Sequence, residues 1–119
     1  MIEKNIIHNC YVLLLKNEAM NQAQYINIKE LEVKLNFKPD EPEISNLNGF
    51  IVDLKELDFI QSSAIGVLLI LRKKITVLGK KIVLINANNN ITAALELAGL
   101  LDFFNIYNSL EEAVNYLKK

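Results

Sequence analysis

Glycine, cysteine and histidine are scarce in this sequence, and each shortage removes a class of chemistry. The four glycines, Gly49, Gly66, Gly79 and Gly99, are too scattered to write a Gly-rich phosphate loop of either the dinucleotide or the P-loop kind. The one cysteine, Cys10, has no second thiol to pair with, so neither a disulfide framework nor a cysteine-based zinc site can assemble within the chain. A reducing, cytoplasmic setting is the expectation. His8 is the only histidine, near the end of a predicted strand, and reads as a structural or solvent-exposed residue rather than a metal ligand. Positive charge is also in short supply: 13 Lys and Arg against 14 Asp and Glu give a formal net charge of −1. That balance offers no long-range attraction to phosphate backbones or anionic lipid, so direct nucleic-acid binding is not expected. No apolar run approaches the roughly 20 residues of a spanning helix, and Met1 to Asn5 shows no basic region leading into an apolar stretch. Neither export nor membrane insertion is expected, and the sequon Asn90-Ile91-Thr92 therefore reads as chance.

What remains is a chain of 119 residues, 51% apolar, enough for one core and not two. A single domain over residues 1–119 is expected. Ile2 to His8 and Tyr11 to Leu15 read as a strand pair about the turn-like His8-Asn9. Ile26, Leu31, Val33, Leu35 and Phe37, set among charged residues, fit an amphipathic helix beginning near Asn21. Both prolines, Pro39 and Pro42, fall in the following charged stretch, which reads as an exposed connection. Phe50-Ile51-Val52-Asp53-Leu54 then has the continuous apolar character of a strand buried on both faces. Ser62 to Leu78 is the longest predicted helix, with Arg72-Lys73-Lys74 toward its end and Gly79 just beyond. Ile82 to Ile85 is a second buried strand, so these elements form a βαβ unit with a right-handed crossover. Ile91 to Ala98 reads as a short helix ended by Gly99, and Phe104 to Tyr107 as a last strand. Ser109-Leu110-Glu111-Glu112 opens a final helix with a capping box. The fold class is α/β, a mixed, mostly parallel sheet of about four to five strands with about four helices.

Two features carry candidate chemistry. Asp53 and Asp58 flank the end of the central strand, where ligands of open α/β sheets tend to sit, but an aspartate there is more often a turn or cap residue. Ser62 and Ser63 stand where a strand hands over to a helix. One hydroxyl, Ser62 by position, suffices as a cap, whereas a helix N-terminus also offers about half a positive charge and free amide donors to an added phosphate. The helix beyond is apolar almost all round from Ala64 to Leu71. Either two layers of the fold cover it, with Gly66 letting it approach the sheet, or part of it stays exposed for a partner.

At Leu57-Asp58-Phe59-Ile60-Gln61-Ser62-Ser63-Ala64-Ile65-Gly66-Val67-Leu68, preceded by the strand Phe50 to Leu54, the sequence resembles the STAS family of the anti-sigma-factor antagonist type. That family's pattern is an apolar strand, an aspartate, a variable stretch, Phe-x-Asp-Ser-Ser-Gly and an apolar helix. The resemblance continues through Gly79 to Leu84 and Leu97 to Phe104, covering about the last 75 residues well and the earlier ones by element order. It implies a STAS-like fold, no catalysis and no cofactor. It also implies a partner that is both anti-sigma factor and serine kinase, with Ser63 as the phosphorylated residue. The implied partner surface comprises Gln61, Ser62, Ser63, Ala64 and Ile65, with Glu18 and Met20 from the early segment Asn17-Glu18-Ala19-Met20. Gln61 and Met20 stand where the family has acids, so two carboxylates are missing near the implied phosphoacceptor. Two further readings stay open: an unphosphorylated STAS scaffold or regulatory subunit of a stressosome-like or membrane-transport complex, and a small enzyme with Ser63 as nucleophile. The second needs a general base that His8 hardly provides.

Overall fold

The computed structural model describes residues 2–15, 46–58, 60 and 62–118. Chain order runs β1 (Ile2–Ile7), β2 (Cys10–Leu15), β3 (Gly49–Asp53), α1 (Ser62–Val77), β4 (Ile82–Ile85), α2 (Asn89–Leu97), a 3-10 turn (Leu101–Phe103), β5 (Asn105–Tyr107) and α3 (Leu110–Lys118). The five strands form one sheet in the order β1-β2-β3-β4-β5. β1 pairs antiparallel with β2, and the other three pairings are parallel. Strand number and the mostly parallel sheet thus match the sequence reading. Among the described residues there are three α-helices, and the fourth, expected to begin near Asn21, lies outside them.

The β1–β2 connection is a two-residue hairpin, Ile7 pairing with Cys10. His8 and Asn9 adopt φ of 50° and 60°, the left-handed pair that keeps a tight hairpin in step with strand twist. His8 is exposed there, a turn residue. All five residues of β3 and all four of β4 are buried, as their unbroken apolar runs require of strands covered on both faces. Alternate residues feed two cores. Tyr11, Leu13, Leu15, Phe50, Val52, Ile82 and Leu84 face the larger one, built with Leu68, Leu71 and Ile75 of α1 and Ile91 and Leu95 of α2. Cys10, Val12, Ile51, Val83 and Ile85 face the smaller, closed by Ala113, Val114 and Leu117 of α3.

The two crossover helices end alike. At Gly79, φ +76°, the amide of Lys80 bonds the carbonyl of Ile75 and that of Gly79 the carbonyl of Thr76. At Gly99, φ +72°, Leu100 and Gly99 bond Leu95 and Glu96 in the same pattern. Both are Schellman closures, in which a left-handed residue lets the last amides turn back onto orphan carbonyls. Of the two readings left open for Gly66, close approach to the sheet is not the one the geometry supports. Among the described residues, a Cβ there would meet nothing within 4 Å. The close approach is instead at Gly49, where a Cβ would stand 2.6 Å from Leu117 Cδ2 and 3.1 Å from the Lys81 carbonyl.

Candidate functional site

The strand-to-helix handover after β3 is built by side chains that satisfy backbone. Asp53, buried at the end of β3, accepts through Oδ1 from the amide of Lys55 at 3.0 Å and from Asn86 Nδ2 at 3.0 Å. The Lys55 ammonium lies 3.8 Å from Oδ2 but is largely exposed, so the ion pair adds little. Asp58 is exposed and holds the loop through its main-chain carbonyl, which accepts from Asn88 Nδ2 at 2.9 Å and from Asn90 Nδ2 at 3.3 Å. Of the two readings of this aspartate pair, the turn role is the one the geometry supports. Leu57 and Ile60 are buried in the larger core and pin the same loop from below.

The loop delivers the chain to Ser62, the first residue of α1, so Ser62 and Ser63 both lie in the first turn. No acidic side chain occupies that turn. The leading amides of α1, with the positive end of its dipole, are therefore not offset by an acid of the helix itself. The capping role expected of the Ser62 side chain lies outside the described side chains, as do the side chains of Ser63 and Ala64. Ile65 is half-buried and packs on the larger core, with Leu68 and Leu71 fully buried behind it. Among the described side chains, the apolar run of α1 is thus largely a packing feature. Gln61, Glu18 and Met20 lie outside the described residues.

Geometry also bears on what kind of ligand suits this end of the sheet. Small molecules favour the crevice at the carboxyl ends of parallel strands where strand order reverses. The described strands run in sequence order without reversal, so among the described residues the sheet has no such switch point. Depressions among the described residues lie elsewhere. One of about 420 Å³ is lined by His8, Leu110, Glu111, Val114, Asn115 and Lys118, and one of about 240 Å³ by residues including Arg72, Lys81 and Phe103. Among the described residues, no three His, Cys, Asp or Glu side chains gather as a metal site would need, and no helix is long and apolar enough to cross a membrane. The Cys10 thiol is pushed up from its ordinary pKa by burial, Lys118 pulling weakly the other way, and is held protonated rather than as a reactive thiolate.

Sequence reasoning found the serines but missed the asparagines. Asn86, Asn88 and Asn90 read as a polar loop, and their partners lie 30 or more residues away, at Asp53, Leu57 and Asp58. The only local trace was the cluster Asn86, Asn88, Asn89 and Asn90 running from a buried strand into a short helix.

This chain belongs to the STAS domain family, whose model matches residues 4–113. A candidate anti-sigma factor antagonist, BtrV of Bordetella bronchiseptica, is 28% identical over 92 residues, covering 77% of this chain and 76% of that one. Among solved structures, the anti-sigma factor antagonist SpoIIAA in its unphosphorylated form superposes with a TM-score of 0.71 at 15% identity, over 99% of this chain and 96% of that one. A chain of the stressosome, described as a signal integration and transduction hub, superposes with a TM-score of 0.76 at 20% identity, over 98% and 96%. At those identities the two structures speak for the fold.

Proposed function

We propose that this STAS chain is an anti-sigma-factor antagonist that binds a partner anti-sigma factor with serine kinase activity, and that phosphorylation of Ser63 switches the binding. The observation that carries this reading is the first turn of α1: two serines at a helix N-terminus without an acid among the first-turn side chains. An uncharged turn of that kind can lie flat against a partner. A phosphate added there brings a charge of about −1.5 to −2 and three acceptor oxygens, which the helix amides accommodate but a partner surface fitted to the neutral turn repels. The proposed surface runs over Gln61, Ser62, Ser63, Ala64 and Ile65 and includes Glu18 and Met20. The likeness to BtrV and to unphosphorylated SpoIIAA supports the partner class. The reading requires no catalysis by this chain, and a kinase partner drawing on ATP suits a cytoplasmic protein.

The purified chain, incubated with ATP and the serine kinases of its source, is expected to gain one phosphate, located at Ser63 by mass spectrometry. Ser63→Glu is expected to weaken partner binding at least tenfold, about 1.4 kcal/mol, while Ser63→Ala retains it. No phosphate at Ser63, together with binding indifferent to Ser63→Glu, overturns the switch. That outcome favours a second reading, a scaffold subunit without a switch, which the likeness to the stressosome chain supports.

A further inference from the structure

We infer that Asn88, assisted by Asn86 and Asn90, is a positioning residue for the serine-bearing turn: a carboxamide clamp through which the β4–α2 loop sets the path of the chain into α1. The Asn88 side chain works at both ends. Its Oδ1 accepts from the amide of Ile91 at 3.0 Å and caps α2, while its Nδ2 donates to the carbonyls of Leu57 at 3.2 Å and Asp58 at 2.9 Å. Only a short carboxamide supplies acceptor and donor together at this reach; aspartate has the acceptor alone, and serine has one proton to give. Asn90 adds a second donor to the Asp58 carbonyl, and Asn86, at φ 61°, ties Asp53 at the other end of the loop. Asparagine is among the few residues that tolerate that left-handed backbone.

The clamp grips the loop from 53 to 58 at its start and its end, and Ser62 follows Asp58 by four residues. Leu57 and Ile60, on either side of Asp58, are both sunk in the larger core. Its members carry no charge. They hold the loop without adding an anion beside the first turn or a cation that would retain a phosphate. The effect on partner exchange rests on the function proposed above; the clamp itself rests on geometry alone.

The test uses the full chain. Asn88→Asp keeps the acceptor that caps α2 and removes both donors to the loop. Hydrogen–deuterium exchange is expected to rise about tenfold in the segment from 54 to 65 and to stay unchanged in α2. Unchanged exchange in 54–65, or an equal rise in α2, overturns the clamp. Should Asn88→Asp not fold, Asn90→Ala is read the same way, with a rise of about threefold expected and no rise overturning the inference. In a second arm, the kinase that phosphorylates wild-type Ser63 is expected to show a KM for the Asn88→Asp chain raised severalfold with kcat unchanged; an unchanged KM overturns the positioning role. If no kinase phosphorylates the wild-type chain, the proposed switch fails, while the exchange result still decides the clamp.

Discussion

Two helices of this domain begin with a serine, and they treat the positive end of their dipoles in opposite ways. At α3, Ser109 Oγ accepts from the amide of Glu112 at 3.2 Å and donates to Glu112 Oε1 at 3.4 Å, with Glu111 and Glu112 both in the first turn. That helix carries its own anions. The capping box differs from the usual form in one respect, since Glu112 reaches the serine hydroxyl. At α1, Ser62 and Ser63 open a helix with no acid in its first turn. The contrast follows from what holds each helix down. α1 has 16 residues and buries Leu68, Leu71 and Ile75 in the larger core; α3 has nine and rests on the single stripe Ala113, Val114 and Leu117. A short helix is marginal alone and gains from every cap, whereas a long one anchored along its length depends less on the charges at its start.

The sharpest way to break this contrast is to remove the anchor of α1. Leu71→Ala is expected to cost about 2–5 kcal/mol, since the side chain is fully buried and its truncation leaves a cavity in the larger core. Urea unfolding would measure it. A loss below about 1 kcal/mol would mean that α1 depends on its first turn after all. Next in size is Ser109→Ala, which removes the cap of α3 and is expected to cost about 1 kcal/mol, read as a lowered Tm. Because α3 closes the smaller core, the loss should appear in the global transition.

Much of the fold was legible because it rests on local or periodic signals. The unbroken runs at Phe50 to Val52 and Ile82 to Ile85 could only be strands covered on both faces, and Gly79 and Gly99 stop α1 and α2 through left-handed closures that any sequence reader can anticipate. The serine pair was visible for the same reason, as polar residues at a predicted helix start. Long-range roles were not legible. Close packing was one of two readings open for Gly66, but the tight contact is at Gly49, fixed by Leu117 and by the carbonyl of Lys81, just before β4. Asn90 was noticed only as the end of a polar loop and the start of a chance sequon, yet its side chain reaches back to the Asp58 carbonyl. Hydrogen bonds from side chain to distant backbone leave no period in a sequence, since any polar residue of the right reach fits the pattern.

The smallest expected effect is the one that separates binding from folding. Ser63→Glu places a carboxylate in the first turn of α1, where the dipole favours negative charge, and is expected to leave stability unchanged or raise it by about 0.3–1 kcal/mol. The gain should shrink as salt is raised if the added carboxylate faces solvent, where interactions are screened within about 10 Å at 0.1 M ionic strength. Thermal unfolding of wild type and variant at low and high salt would show this. Mutating Glu112→Gln at α3 should move stability the other way, since it removes an anion already in place. If Ser63→Glu instead destabilises the domain, the turn is not a free helix end, and weakened partner binding by that variant would reflect unfolding. If stability holds while binding falls, the charge acts at the interface, as the proposed switch requires.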